Sequence, residues 1–135
     1  MDTRNGVVVF SSKDVETVVS DGITRQWFNA KQFSFAIAIC ASGSGHFRHN
    51  HPEAEEFIYT VSGEAILRVF QDGKVKEYPS PPGTMAYIPE GVEHEAEVCS
   101  GEPWKVLCVY APGGQDEGLR EKSGVYILPP GTIPT

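Results

Sequence analysis

The chain has 135 residues, a formal net charge of -7, 40% hydrophobic and 21% charged residues. That length suits one domain with its own core, and the scattered lysines and arginines exclude a nucleic-acid or anionic-membrane surface, which needs clustered positive charge. Three cysteines (Cys40, Cys99, Cys108) without a CxxC pair, no signal-peptide pattern in Met1–Gly6 and no stretch near the ~20 apolar residues of a membrane helix give the expectation of a cytoplasmic protein.

In chain order, Val7–Phe10 is a first apolar run, and Ser12–Glu16 fits a single capped turn. A strand is predicted over Ile23–Asn29. Another is predicted over Phe33–Cys40, where large apolar residues take every second position. Ala41–Gly45 reads as a loop. Glu56–Val61 is rich in β-branched and aromatic residues and reads as a strand. Ala65–Phe70 and Val75–Tyr78 flank Asp72-Gly73, a strong hairpin dipeptide. Met85–Ile88, His94–Val98 and Trp104–Tyr110 follow as strands. Ala111 opens a polar tail, and Val125–Leu128 is read as an edge strand. With 14 glycines and 10 prolines spaced between short strands, the pattern is an all-β barrel or jelly roll.

Three of the four histidines fall in two fragments. His49-Asn50-His51 is followed by the acidic run Glu53-Ala54-Glu55-Glu56, and His94 follows Pro89-Glu90-Gly91. Histidines at i and i+2 of an extended segment share a face, and His94 must come from another strand to meet them. Three imidazoles and one carboxylate suit a borderline divalent ion: Fe, Mn, Ni, Co or Zn.

The two fragments resemble the motifs of the cupin superfamily. The first motif reads Gly43, His49, His51, Glu56, Gly63. The second reads Gly83, Pro89, Gly91, His94, with Val98 where the family usually has Asn. Nine of these ten positions match, all between residues 43 and 98. The resemblance implies a single cupin β-barrel (a double-stranded β-helix or jelly roll) over 1–135, with N-terminal strands before residue 40 and a C-terminal tail from about residue 111. It implies His49, His51, Glu56 and His94 as ligands of one divalent transition metal. Glu55 stays open as the carboxylate, although Gly63 lies six residues beyond Glu56 and favours Glu56. A homodimer is implied as well, with Val7–Phe10 as a contributor unless it pairs within its own sheet.

His46 reads as a surface histidine rather than a general base, and Arg48 as an outer charge. Arg25 and Arg68 could reach an acidic substrate, but an ion pair on the sheet surface is the default. A pocket for a small molecule is expected inside the barrel, lined by residues drawn from Ile58, Thr60, Tyr59, Tyr87, Trp27 and Phe35, with Trp104 and Tyr110 as further aromatics. The resemblance implies a metal-dependent enzyme of dioxygenase, isomerase, cyclase, decarboxylase or lyase type. The alternative is a non-catalytic module that binds or senses a sugar or other metabolite. A barrel plugged by side chains would leave only a structural role.

Overall fold

The computed structural model describes residues 6–132, so the signal-peptide reading at residues 1–5 lies outside the described residues. A 3-10 turn (Ser12–Asp14) leads into β1 (Thr17–Ser20), β2 (Ile23–Asn29), β3 (Ser34–Cys40), β4 (Gly45–His49), β5 (Glu55–Ser62) and β6 (Ala65–Gln71). Then come β7 (Lys74–Ser80), β8 (Met85–Ile88), β9 (Glu93–Val98), β10 (Trp104–Ala111), a second 3-10 segment (Glu117–Glu121) and β11 (Tyr126–Leu128). No helix among the described residues is long and apolar enough to cross a membrane.

The strands form two antiparallel sheets, in the orders β11-β1-β2-β3-β10-β5-β8 and β4-β9-β6-β7. This is the all-β, two-sheet jelly roll expected from the sequence. Of the two readings of Val7–Phe10, pairing within its own sheet is not the one observed. The segment joins neither sheet, Val9 is 85% exposed, and Phe10 packs its ring 5.4 Å from Phe28. β1 was not expected; Asp21 (φ 50°) and Gly22 (φ 77°) turn it into β2 with the positive dihedrals of a tight hairpin. Asp72 and Gly73 make the same turn between β6 and β7, as predicted. β11 pairs with β1 at the sheet edge.

The alternation in β3 is real, but its large residues face outward. Ser34, Ala36, Ala38 and Cys40 are buried, while Phe35 and Ile37 stand on the outer face. The small inward residues lie beside large ones of β10: Trp104 pairs with Cys40, and Tyr110 with Ser34. This small-against-large matching fits two bulky rings inside the barrel without overpacking. It also leaves an apolar row across the outside of five strands, Phe28–Phe35–Val109–Phe57–Tyr87. Cys40 and Cys108 are buried, and burial pushes the Cys40 thiol up to about 12.

Both motifs meet at one end of the barrel. The Gly91 amide donates to the His51 carbonyl at 2.9 Å, and the Asn50 side-chain amide donates to the Gly91 carbonyl at 3.3 Å. The loop after β4 and the turn before β9 therefore hold one another in place.

Candidate metal centre

β4 carries a register irregularity between His46 and His49, so its strict alternation is lost. Both rings consequently turn toward the interior, with centroids 6.1 Å apart. His49 lies opposite His94 in the β4–β9 ladder, and their ring centroids are 4.3 Å apart. His51 follows in the loop, and Glu56 comes from the inward face of β5. One ligand-type atom from each of His49, His51, Glu56 and His94 lies within 4.8 Å of the others. Glu55 points the opposite way and accepts a hydrogen bond from Tyr87 Oη at 2.5 Å, so the cluster contains Glu56 alone of the acidic run.

The hydrogen bonds determine which ring atoms face inward. His49 Nδ1 lies 2.6 Å from the Phe47 carbonyl oxygen, and His94 Nδ1 lies 3.0 Å from that of Val92. A carbonyl only accepts, so each Nδ1 carries the proton. In the neutral rings Nε2 is then a bare lone pair directed at the cluster. His94 Nε2 sits 3.0 Å, and His51 Nε2 3.4 Å, from Glu56 Oε1. His51 Nε2 and Glu56 Oε1 are sealed from solvent without a conventional hydrogen-bond partner. Several acceptors facing one another in a buried site require a cation between them, either a proton or a metal ion.

The titration shifts agree. Burial alone would raise Glu56, but the imidazoles of His51 and His94 outweigh it and hold the carboxyl below its usual range. Burial opposes a proton on His94, yet the Glu56 carboxylate raises it. Glu56 thus favours positive charge at His94, the role that a metal ion at the cluster would fill. The donor set therefore fits a divalent transition metal.

A 460 Å³ cavity opens onto this cluster, lined among others by His49, His51, Tyr110, Arg25, Gln115 and Asp116. The barrel is not plugged. Ile58 and Thr60 face inward as expected but are consumed by the core, where Thr60 Oγ1 accepts from Trp104 Nε1 at 3.2 Å. Three expected lining residues need correction: Phe35, Tyr59 and Tyr87 lie on the outer sheet face, because their strand parity is opposite to that of the inward residues. Trp27 packs on the core but does not line this cavity; its indole donates to Glu117 at 2.6 Å and lies under the Arg120 guanidinium.

His46 is the other correction. Its Nε2 is fully buried without a partner, and it lines the same cavity. Burial, helped by the Arg25 charge, pushes it down to about 3, so it is a neutral ring beside Trp104. Arg48 is an outer charge as expected, paired with Glu93 and stacked on Phe70. Arg68 likewise takes the surface default, bonding Glu77 at 3.0 Å and Glu97 at 2.9 Å.

Asp116 has no sequence signal, since only tertiary folding brings it here. The segment after β10 is tied back over the barrel: Gly114 N–H donates to Ser34 Oγ at 2.6 Å, and Glu117 accepts from Trp27 and Asn29. Asp116 is 7% exposed in consequence, and burial raises its carboxyl above the usual range. At acid pH it is protonated whether folded or unfolded, so burial adds no penalty. As pH rises, the unfolded chain ionises first, and stability is lost until the folded carboxyl ionises too. Asp116→Asn is therefore expected to raise the melting temperature at neutral pH, with the gain vanishing in acid. A lower neutral melting temperature for the variant would show that Asp116 is ionised and partnered.

The family model of the AraC-like ligand binding domain matches residues 34–133. L-ectoine synthase of Bordetella avium is 33% identical over 134 residues, covering 91% of this chain and 96% of that protein. Glucose-6-phosphate isomerase of Thermococcus kodakarensis is 32% identical over 82 residues, which is 59% of this chain and 43% of that protein. The structure of Bacillus subtilis oxalate decarboxylase superposes on 87% of this chain with a TM-score of 0.73 at 20% identity. The chain spans 33% of that protein, and the likeness is one of fold.

Proposed function

The chain belongs to the AraC-like ligand binding domain family of cupin-type barrels, and we propose that it is a metal-dependent enzyme acting on a small organic molecule held in the 460 Å³ cavity. The observation that carries this reading is the convergence of imidazole lone pairs on the buried Glu56 carboxylate, beside a cavity that His49 and His51 line. His49, His51, Glu56 and His94 hold one divalent ion, from Fe, Mn, Ni, Co or Zn. When bound, that ion supplies Lewis acidity to a substrate oxygen or lowers the pKa of a bound water. The chain's own residues do the rest. The Phe47 and Val92 carbonyls orient two of the imidazoles. Asp116, raised by burial, is placed to hold a proton at the wall of the cavity that His49 and His51 also line. Tyr110, pushed up by burial, stays a neutral hydroxyl donor beside His51.

Within the family's range, isomerase, cyclase or lyase chemistry is the best-supported class. The relative that matches along nearly its whole length is a synthase, and the one matching a segment is an isomerase. The second reading is a metabolite sensor, favoured by the ligand-binding description of the matching family. One experiment separates them. Metal-loaded protein is incubated with a defined mixture of small metabolites and followed by proton NMR, beside protein stripped with a chelator. An enzyme consumes one component over many equivalents per chain, and chelation stops it. Loss of no more than one equivalent, with the component recovered intact on denaturation, would replace the enzyme with the sensor.

A further inference from the structure

Four arginines lie in the described residues, and three of them are satisfied by carboxylates at the surface. Arg48 pairs with Glu93, Arg68 with Glu77, Glu95 and Glu97, and Arg120 with Glu16 and Glu117. Arg25 differs from all three. It sits on β2 opposite the buried Ala38, two residues from the buried Ile23, so its side chain leaves the inward face of the sheet. It lines the cavity that also holds His49 and His51. Its one hydrogen bond among the described residues goes to Ser20 Oγ at 3.3 Å, and no described carboxylate lies within ion-pair distance of it.

Arg25 is half-buried, so its guanidinium faces the cavity with no described carboxylate to neutralise it. Asp116 lines the same wall but does not pair with it, and burial disfavours its charged form. The vacant guanidinium fork matches a carboxylate or phosphate in bidentate geometry, and no other group of the described chain fills it. Ser20, which Arg25 touches, and Lys122 also line the cavity and add donors to it.

We propose that Arg25 anchors an anionic group of the substrate, so that the substrate is a small organic acid or phosphoester lying between Arg25 and the His49/His51/Glu56/His94 cluster. This rests on the metal-enzyme reading for its far end only; the anchor itself needs no metal. It revises the default reading of Arg25 as a surface ion pair, because β2 turns it inward.

The test uses malonate and inorganic phosphate as probes, titrated calorimetrically into metal-loaded wild type, Arg25→Met and Arg25→Lys. Metal content is measured on the same samples by elemental mass spectrometry. The expected result is that one probe binds wild type, that Arg25→Met weakens it at least tenfold, and that Arg25→Lys recovers part of the loss, all at unchanged metal content. Malonate binding alone assigns a carboxylic acid, and phosphate binding alone assigns a phosphoester. Equal affinity in Arg25→Met, or no binding of either probe to wild type, overturns the anchor. Arg25-dependent binding to a wild type that holds no metal supports the anchor while overturning the metal reading.

Discussion

Replacing His49 and His94 together with alanine is expected to empty the cluster of metal, from about one transition-metal ion per chain in the wild type to near zero. The two rings face each other across the β4–β9 ladder and supply half of the converging donors. Even outer-shell changes at such sites cost ~10–100-fold in affinity, and loss of a direct ligand costs more. What remains, His51 and Glu56, is too few donors to complete a coordination shell. Both rings occupy interior space that alanine leaves open, so circular dichroism must confirm that the variant is folded. Glu56→Gln keeps the shape while removing the charge, and it should lose metal too. Retention of metal at wild-type level by folded double variant and Glu56→Gln alike would place the ion elsewhere. The identity of the ion then directs the chemistry: iron toward oxygen-consumption assays, zinc or nickel toward isomerase and lyase screens.

Gly63→Ala is expected to cause the largest loss of stability among the glycines of the two motifs. Gly63 turns β5 into β6 at φ 73°, where an L side chain costs ~1–2 kcal/mol. A Cβ there would also lie 2.2 Å from the Pro103 carbonyl oxygen and 2.8 Å from Trp104 Cα. The obstruction is backbone rather than a flexible side chain, so relief means moving β10 at the point where Trp104 enters the core. Strain and overpacking together amount to ~2–5 kcal/mol, a large share of the ~5–15 kcal/mol that holds a domain folded. Gly43→Ala is the control. Its φ is 78°, but a Cβ there meets nothing within 4 Å, so only the dihedral strain applies. Melting curves of both variants decide the matter, and equal destabilisation would mean that the close approach at Gly63 is unimportant.

β2, β8 and the Asp72-Gly73 hairpin follow from local pattern, since turn chemistry and period-two alternation act within a few residues. β1 has only four residues, too few for a clear alternation, although Asp21-Gly22 carries the same turn signal as Asp72-Gly73. Which face of a strand is buried is less legible. In β3 the large residues look like the core face, yet the small ones are inside because Trp104 and Tyr110 of a distant strand fill that space. The ligand-type residues are legible because histidine spacing is distinctive. His46, Arg25 and Asp116 are not: a backbone irregularity turns the first inward, strand parity against a barrel turns the second, and a folded-back segment brings the third.

The carbonyls that fix His49 and His94 each lie two residues upstream on the same chain segment, at Phe47 and Val92. Ring orientation is thus set locally, by β4 and by the turn into β9, while much of the cavity wall comes from β1, β2 and residues 115–125. The candidate metal ligands and most of the cavity wall are therefore separable parts of one barrel. Exchanging residues 115–125 is expected to alter what the cavity accepts while leaving the orientation of His49 and His94 unchanged.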